Sequence, residues 1–278
     1  MNNFGFIRVA AAIPELKVAD CAFNSERIEH LIKEAQAKEV QIVCFPELSI
    51  TAYTCADLFN QRLLLEQSEI EVERLLKATA SCNIIFIIGV PLIVDGKLFN
   101  TALVCQSGKI LGAVPKQYLP EYNEFYEKRW FESGKNYPER TVLYAGMQMP
   151  FGTNILFGNK NISFAIEICE DLWTTSPPSS THSVNGAHII FNLSASNETI
   201  GKHEYLLSLI QQQSARCIAG YVYVSSGYGE STTDVVFGGN GLIYENGALL
   251  SRSKRFLFEE QLIVNEIDVE RLQFDRQK

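Results

Sequence analysis

The chain has 278 residues, 46% hydrophobic and 20% charged, with a formal charge of −8. A chain of this size buries roughly 70–75% of its unfolded surface without disulfide or metal staples; its acidic balance argues against a nucleic-acid partner, which calls for a basic face, and the local basic stretches Lys128-Arg129 and Arg252 to Arg255 read as solvated turns. No apolar run reaches the ~20 residues of a membrane helix, and Met1-Asn2-Asn3-Phe4-Gly5-Phe6 lacks the basic-then-apolar pattern of a secretory signal, so the expected location is cytoplasmic.

Residues 8–13 read as a first strand. Ser25 is placed to cap a helix whose apolar residues Ile28, Leu31, Ile32 and Ala35 fall at i, i+3, i+4 and i+7. Residues 40–45 follow as a buried strand stopped by Pro46. A second amphipathic helix is expected over 69–80, carrying Ile70, Val72, Leu75 and Leu76, and then a strand over 84–90. This β-α-β-α-β order implies parallel strands with helical crossovers. Unbroken apolar runs are what strands buried on both faces look like.

Residues 98–105 and 110–114 flank Ser107-Gly108-Lys109 and predict a hairpin. The stretch 118–131 is irregular and rich in aromatic residues. Strands are expected again at 162–169 and 188–193, then a helix from about 204 to 219 and a strand at 221–225. Pro177-Pro178-Ser179-Ser180 reads as a loop. Residues 242–244 and 248–250 flank Asn246-Gly247, a two-residue hairpin turn. Each half therefore runs parallel strands, then a hairpin. That pattern points to two similar halves packed sheet on sheet with helices outside, in one domain spanning 1–278 that no Pro-, Gly- or Ser-rich linker divides.

Cys21, Cys44, Cys55, Cys82, Cys105, Cys169 and Cys217 are widely spread and form no CxxC pair. A zinc ribbon and a thioredoxin motif are unsupported, and most of these thiols are expected to be buried small hydrophobes. The histidines His30, His182, His188 and His203 show no zinc spacing. A GxSxG elbow, a GxxxxGK[ST] loop and a GxGxxG fingerprint are all missing.

Reactive groups of parallel sheets gather beyond the carboxyl ends of the strands, and three polar residues share that address. Glu47 follows 40–45 and Pro46, Lys116 follows 110–114 and Pro115, and Cys169 ends 162–168. Together they supply what amide cleavage demands. Glu47 takes the thiol proton, if partial burial raises its pKa toward the working pH. Cys169 attacks the amide carbon. Lys116 and the Glu170 backbone N–H stabilise the oxyanion, ammonia leaves, and water hydrolyses the thioester. A Cys–His pairing of Cys169 with His188 or His203 stays open on these residues alone.

Phe45-Pro46-Glu47-Leu48 and Glu167-Ile168-Cys169-Glu170-Asp171-Leu172-Trp173 resemble the nitrilase superfamily of carbon–nitrogen hydrolases. Glu47-Leu48-Ser49-Ile50-Thr51-Ala52-Tyr53, Asp57-Leu58-Phe59 and the run from Val114-Pro115-Lys116-Gln117-Tyr118-Leu119-Pro120-Glu121-Tyr122 to Asn123-Glu124-Phe125-Tyr126-Glu127 narrow the likeness. They resemble the glutaminase (amidase) domains of glutamine-dependent NAD synthetases, over nearly the whole chain. The resemblance implies a four-layer α-β-β-α sandwich with Glu47 as general base, Lys116 as oxyanion stabiliser and Cys169 as nucleophile. It implies Glu127 as a second glutamate that orients the lysine or the substrate, with Glu124 competing for that role. Tyr122, Glu170 and Ser196 match substrate-binding positions. Lys202 stands where the family often has arginine, and a lysine offers a point charge without a planar fork.

The resemblance further implies glutamine as substrate, no cofactor for this domain, a homo-oligomer, and an ATP-dependent synthetase domain that uses ATP, Mg and deamido-NAD. Such a domain carries an SGG-x-D-S loop, which Ser225-Ser226-Gly227-Tyr228-Gly229-Glu230-Ser231 does not fit. The competing readings are a free-standing amidase for another small amide and a catalytically silent assembly domain.

Overall fold

A computed structural model describes residues 5–159, 161–232 and 234–277; residues 1–4, inspected above for a targeting signal, lie outside the described residues. Its first half runs β1 (Phe6–Ile13), α1 (Cys21–Ala37), β2 (Ile42–Cys44), a 3-10 segment (Tyr53–Asn60), α2 (Arg62–Ala78), β3 (Ile85–Val94), β4 (Lys97–Gln106) and β5 (Lys109–Pro115). A hairpin of β6 (Arg140–Tyr144) and β7 (Met147–Phe151) follows. The second half repeats the theme with β8 (Phe157–Gly158), β9 (Ser163–Ile168), α3 (Pro178–Val184), β10 (Ile189–Ser194), α4 (Lys202–Cys217), β11 (Gly220–Ser225), β12 (Gly241–Glu245) and β13 (Ala248–Arg252). β14 (Gln261–Asp268) and α5 (Val269–Arg276) complete the order.

The strands form an eight-stranded sheet, β14-β1-β2-β3-β4-β5-β7-β6, and a six-stranded sheet, β13-β12-β11-β10-β9-β8. In each sheet three consecutive strands are parallel, β1-β2-β3 and β9-β10-β11, and an antiparallel hairpin follows. The repeat expected from the sequence is thus present.

Side chains alternate between the two faces of a strand, and here both faces are apolar. In β1, Ala10 and Ala12 join the core beneath α1 and α2, while Val9, Ala11 and Ile13 face the other way. In β3, Phe86 and Ile88 join the first core and Ile87 the second. The second core also takes Phe164, Ile166 and Ile168 from β9 and Val222 and Val224 from β11, so it lies between the sheets. A third core, with Ala165, Ile190, Leu206 and Ile210, lies between the second sheet and α3 and α4. Three cores between four layers make the α-β-β-α sandwich. Each fully buried Val, Leu, Ile or Phe contributes about 1.5–3 kcal/mol.

Some elements differ from the sequence expectation. Asp20, not Ser25, caps α1, accepting the Phe23 N–H at 3.1 Å. Ser25 lies a turn inside and donates to Glu71 Oε2 at 2.5 Å. α2 begins at Arg62 rather than 69, and Ile70, expected inside, is exposed while Glu71 is buried beside Arg74. Residues 177–180 are not all loop: Pro178 opens α3, where its missing N–H has no helical partner to lose. The β6–β7 hairpin and β14 have no counterpart in the expected elements. Among the described residues, no helix is long and apolar enough to cross a membrane.

Gly89 of β3 is where the first sheet meets the loop that carries Glu47. A Cβ there would lie 2.1 Å from the Leu48 backbone nitrogen, and the Gly89 N–H and C=O are already bonded to Ser49 Oγ and the Ile50 N–H. Gly89→Ala is therefore expected to destabilise the fold by more than the ~1–3 kcal/mol typical of overpacking, because backbone must move; urea unfolding measures it, and an unchanged midpoint would refute the close approach.

Candidate active site

Four buried side chains meet where the strand ends of the two sheets converge. Glu47 sits beyond β2, Lys116 directly after β5, and Cys169 directly after β9. Glu127 comes from a 3-10 turn, Glu127–Arg129, inside the irregular aromatic stretch. Lys116 Nζ donates to Glu47 Oε1 at 2.6 Å and to Glu127 Oε1 at 2.7 Å. All three residues are at most 1% exposed.

The string is held from several sides. Asn100 Nδ2 donates to Glu47 Oε1 at 2.6 Å, and the Ala195 N–H to Glu47 Oε2 at 2.9 Å. The Tyr53 hydroxyl donates to Glu127 Oε1 at 2.8 Å. The Lys116 N–H bonds to the Asn100 carbonyl at 2.8 Å, so Asn100 grips the lysine by its backbone and the glutamate by its side chain. Sequence reasoning missed Asn100, Tyr53 and the Ala195 amide. Asn100 left a readable signal as an amide inside an otherwise apolar strand.

Cys169 begins a 3-10 turn, Cys169–Trp173, with φ +45°, a left-handed conformation that a non-glycine residue adopts only under surrounding constraint. Asp171 supplies that constraint. Its Oδ2 accepts the Ile168 N–H at 2.9 Å, and its Oδ1 accepts the Gln117 and Tyr118 N–H groups at 3.2 and 2.8 Å. One buried carboxylate thus ties the thiol's turn to the segment after Lys116. It lies within the recognised Cys-Glu-Asp-Leu-Trp motif, but its role was not legible there.

The charges act on one another. Burial alone would lower the Lys116 pKa, but Glu127 and Glu47 outweigh it and hold the ammonium well above the usual lysine value. Burial pushes the Glu127 carboxyl up to about 7, against the pull of Lys116. Burial, reinforced by the Glu47 charge, pushes the Cys169 thiol up, while Lys116 opposes. The shift favours the protonated thiol at rest.

A cavity of about 310 Å³ opens above Cys169, with Tyr122, Glu124, Glu170, Ser196 and Lys202 in its wall. The Tyr122 hydroxyl donates to Glu170 Oε2 at 2.8 Å. Lys202 Nζ donates to Asn197 Oδ1 at 2.6 Å, and Asn197 Nδ2 reaches Glu124 Oε1. Burial lowers the Lys202 pKa. Between the competing glutamates, Glu127 contacts the lysine and Glu124 lies on the cavity wall. Glu47, Lys116 and Glu127 thus form one ion-paired string, and Cys169, Tyr122, Glu170, Ser196 and Lys202 line one cavity.

The histidines stand elsewhere. His188 Nδ1 accepts the Ser163 N–H at the start of β9, the opposite end of that strand from Cys169. His203 lines a separate hollow with Glu198, Glu204 and Arg255. Neither makes a Cys–His pair with Cys169. Among the described residues, no group of three or more His, Cys, Asp or Glu side chains is arranged to hold a metal ion.

Residues 8–277 match the model of the carbon-nitrogen hydrolase family, and the chain belongs to that family. Its more particular likeness is to synthetases. The glutamine-dependent NAD(+) synthetase of Mycobacterium leprae is 37% identical over 275 residues, 98% of this chain and 40% of that protein. The crystal structure of a glutamine-dependent NAD(+) synthetase from Cytophaga hutchinsonii superposes with a TM-score of 0.84 and 31% identity over 94% of this chain and 43% of that one. The chain therefore spans about two fifths of the length of these relatives. A carbon-nitrogen hydrolase from Helicobacter pylori, 16% identical, shares the fold with a TM-score of 0.76 over 98% of this chain and 92% of that one.

The raised Glu127 pKa has a measurable consequence. A carboxyl raised by folding binds more protons folded than unfolded. Its contribution to stability is full below the unfolded value of about 4.3 and is lost as pH rises through about 7. The stability difference between wild type and Glu127→Gln is expected to change in that direction, by on the order of a few kcal/mol, between about pH 4 and pH 8. Urea unfolding across that range measures it, and a pH-independent difference would contradict it.

Proposed function

We propose that this chain hydrolyses the side-chain amide of glutamine, and that the ammonia serves an ATP-dependent synthetase domain that amidates deamido-NAD to NAD. The observation that carries the reading is the buried Glu47–Lys116–Glu127 string beside a protonated thiol, under a cavity with both acidic and basic walls. The likeness to glutamine-dependent synthetases supports glutamine as the amide.

Glu47 removes the Cys169 proton as Sγ attacks the amide carbon. The amide oxygen gains the negative charge and faces Lys116 Nζ and the Glu170 N–H, a pre-organised pair of donors. The tetrahedral intermediate collapses with the proton passing from Glu47 to the leaving nitrogen, which departs as ammonia. A thioester remains. Glu47 then takes a proton from water, whose oxygen attacks the thioester carbon, and glutamate leaves as the thiol regains its proton. Glu127 holds Lys116 in place. Lys202 is placed for the substrate carboxylate, and Glu170, Tyr122 and Ser196 bind the rest of the amino acid. ATP, Mg and deamido-NAD belong to the synthetase domain, and no residue of this chain is assigned to them.

Incubated with glutamine, the chain is expected to release ammonia and glutamate in equal amounts. Cys169→Ala should abolish this, Glu47→Gln should lower kcat by about 10²–10⁴-fold, and Lys202→Ala should raise KM by on the order of tenfold. Hydrolysis of other small amides with none of glutamine would favour a free-standing amidase instead. Unspent ammonia wastes glutamine, so the isolated chain is expected to turn over slowly and to speed up when a synthetase domain is added. An unchanged steady-state rate would argue against that coupling.

A further inference from the structure

Behind Cys169, on the face of the second sheet that meets α3 and α4, the strands carry polar residues that the amide chemistry leaves unused. Glu167 on β9, Asn192 on β10 and Tyr221 on β11 are all buried. They are joined in a string. The Ser194 hydroxyl donates to Asn192 Oδ1 at 2.7 Å, Asn192 Nδ2 donates to the Tyr221 hydroxyl at 3.2 Å, and that hydroxyl donates to Glu167 Oε1. Glu167 Oε2 accepts the Ser179 N–H of α3 at 2.8 Å. Among the described residues no cation pairs with Glu167.

The other end of the string is Glu47. The Ser194 carbonyl accepts the Glu47 N–H and the Ser226 N–H, each at 3.2 Å. The next N–H along the chain, that of Ala195, donates to Glu47 Oε2 at 2.9 Å. One peptide unit therefore holds both the backbone and the carboxylate of Glu47. The hydroxyl of its serine is bonded to the string.

The direction of the string matters as much as its presence. Burial raises the Glu167 pKa; as a carboxylate it only accepts, and the Tyr221 O–H then points to it. Its lone pair then faces the Asn192 amide nitrogen, which leaves the amide oxygen for Ser194. Hydrogen bonds aligned this way reinforce one another inside a protein. A glutamine at 167 would keep the shape but offer one acceptor oxygen instead of two. It would also add a donor that lets the string reverse.

We infer that Glu167, Tyr221 and Asn192 are positioning residues for Glu47, which they orient through Ser194 and its peptide bond to Ala195. This rests on the reading of Glu47 as the base for Cys169.

The test uses the whole chain with Tyr221→Phe and Glu167→Gln. Gln213→Leu serves as a control in the same core, since Gln213 bonds to Ser179 Oγ, Ser180 and Cys217 and to none of Glu167, Tyr221, Asn192 and Ser194. The readout is the rate at which iodoacetamide alkylates Cys169, followed by peptide mass from about pH 5 to about pH 9, alongside Tm. Glu47→Gln sets the scale of the response. In both variants the rate is expected to fall on the order of 10- to 100-fold, or its pH midpoint to move toward that of Glu47→Gln. Gln213→Leu should lower Tm without either change. Curves that overlay the wild type, or that change only as the control does, would overturn the inference. If Tyr221→Phe fails to fold, the isosteric Glu167→Gln decides alone. No amide turnover enters this readout, so a failure to hydrolyse glutamine would sink the substrate assignment while leaving the string to stand or fall on its own curves.

Discussion

A lysine ammonium cut off from water sets the terms for everything around it. Buried alone, Lys116 would carry an effective desolvation penalty of several kcal/mol. Two carboxylates offset it, Glu47 and Glu127, each within 2.7 Å. Counted as charges, the string holds one positive and two negative groups, and the surplus negative charge lies near Cys169. That surplus helps keep the resting thiol protonated. Removing the lysine would leave the buried carboxylates without a counter-charge, which typically costs about 3–5 kcal/mol.

Holding that string demands parts from both sheets. Asn100 of β4 and the loop after β2 belong to the first, while Ser194 and Ala195 at the end of β10 bring in the second. The core between the sheets sets how far apart these ends lie. The turn at Cys169 is one of several left-handed non-glycine positions, and Leu48 beside Glu47 is another. Asp171 ties the left-handed Cys169 turn to the Ile168 N–H before it and to the segment after Lys116. Interior packing and site geometry are thus one problem, and Gly89 is where they touch.

Much of this was legible in the sequence because apolar runs and polar punctuation report burial directly. Glu47, Lys116 and Cys169 could be read because each interrupts or ends a run destined for the interior. Glu127, Tyr122, Ser196 and Lys202 rested on motif likeness alone, since their stretches have no periodicity to interpret. Asp171 and Tyr53 were hidden because their importance lies in backbone groups and side chains that fold next to them from elsewhere. Ser25 competed with Asp20 as a cap, and only tertiary contact with Glu71 shows which serine oxygen is already engaged. Pro177-Pro178-Ser179-Ser180 has the composition of a loop, and the first turn of a helix can have the same composition. β14 was unreadable because its strand character comes from a partner at the other end of the chain.

That last pairing has a consequence for how the molecule is made. β14 lies antiparallel to β1, with Phe6 opposite Asp268 and Ile13 opposite Gln261. A neighbour of β1 is thus synthesised only after β2 to β13. Until it emerges from the ribosome, β1 has an unpaired edge, and exposed edges invite pairing with other chains. Contacts this far apart in sequence also form slowly, because the loop they close is long. The second half, whose strands pair with near neighbours in the chain, faces no such delay. The first sheet therefore waits until β14 has been made, and its open edge is the point at which a nascent chain most needs protection.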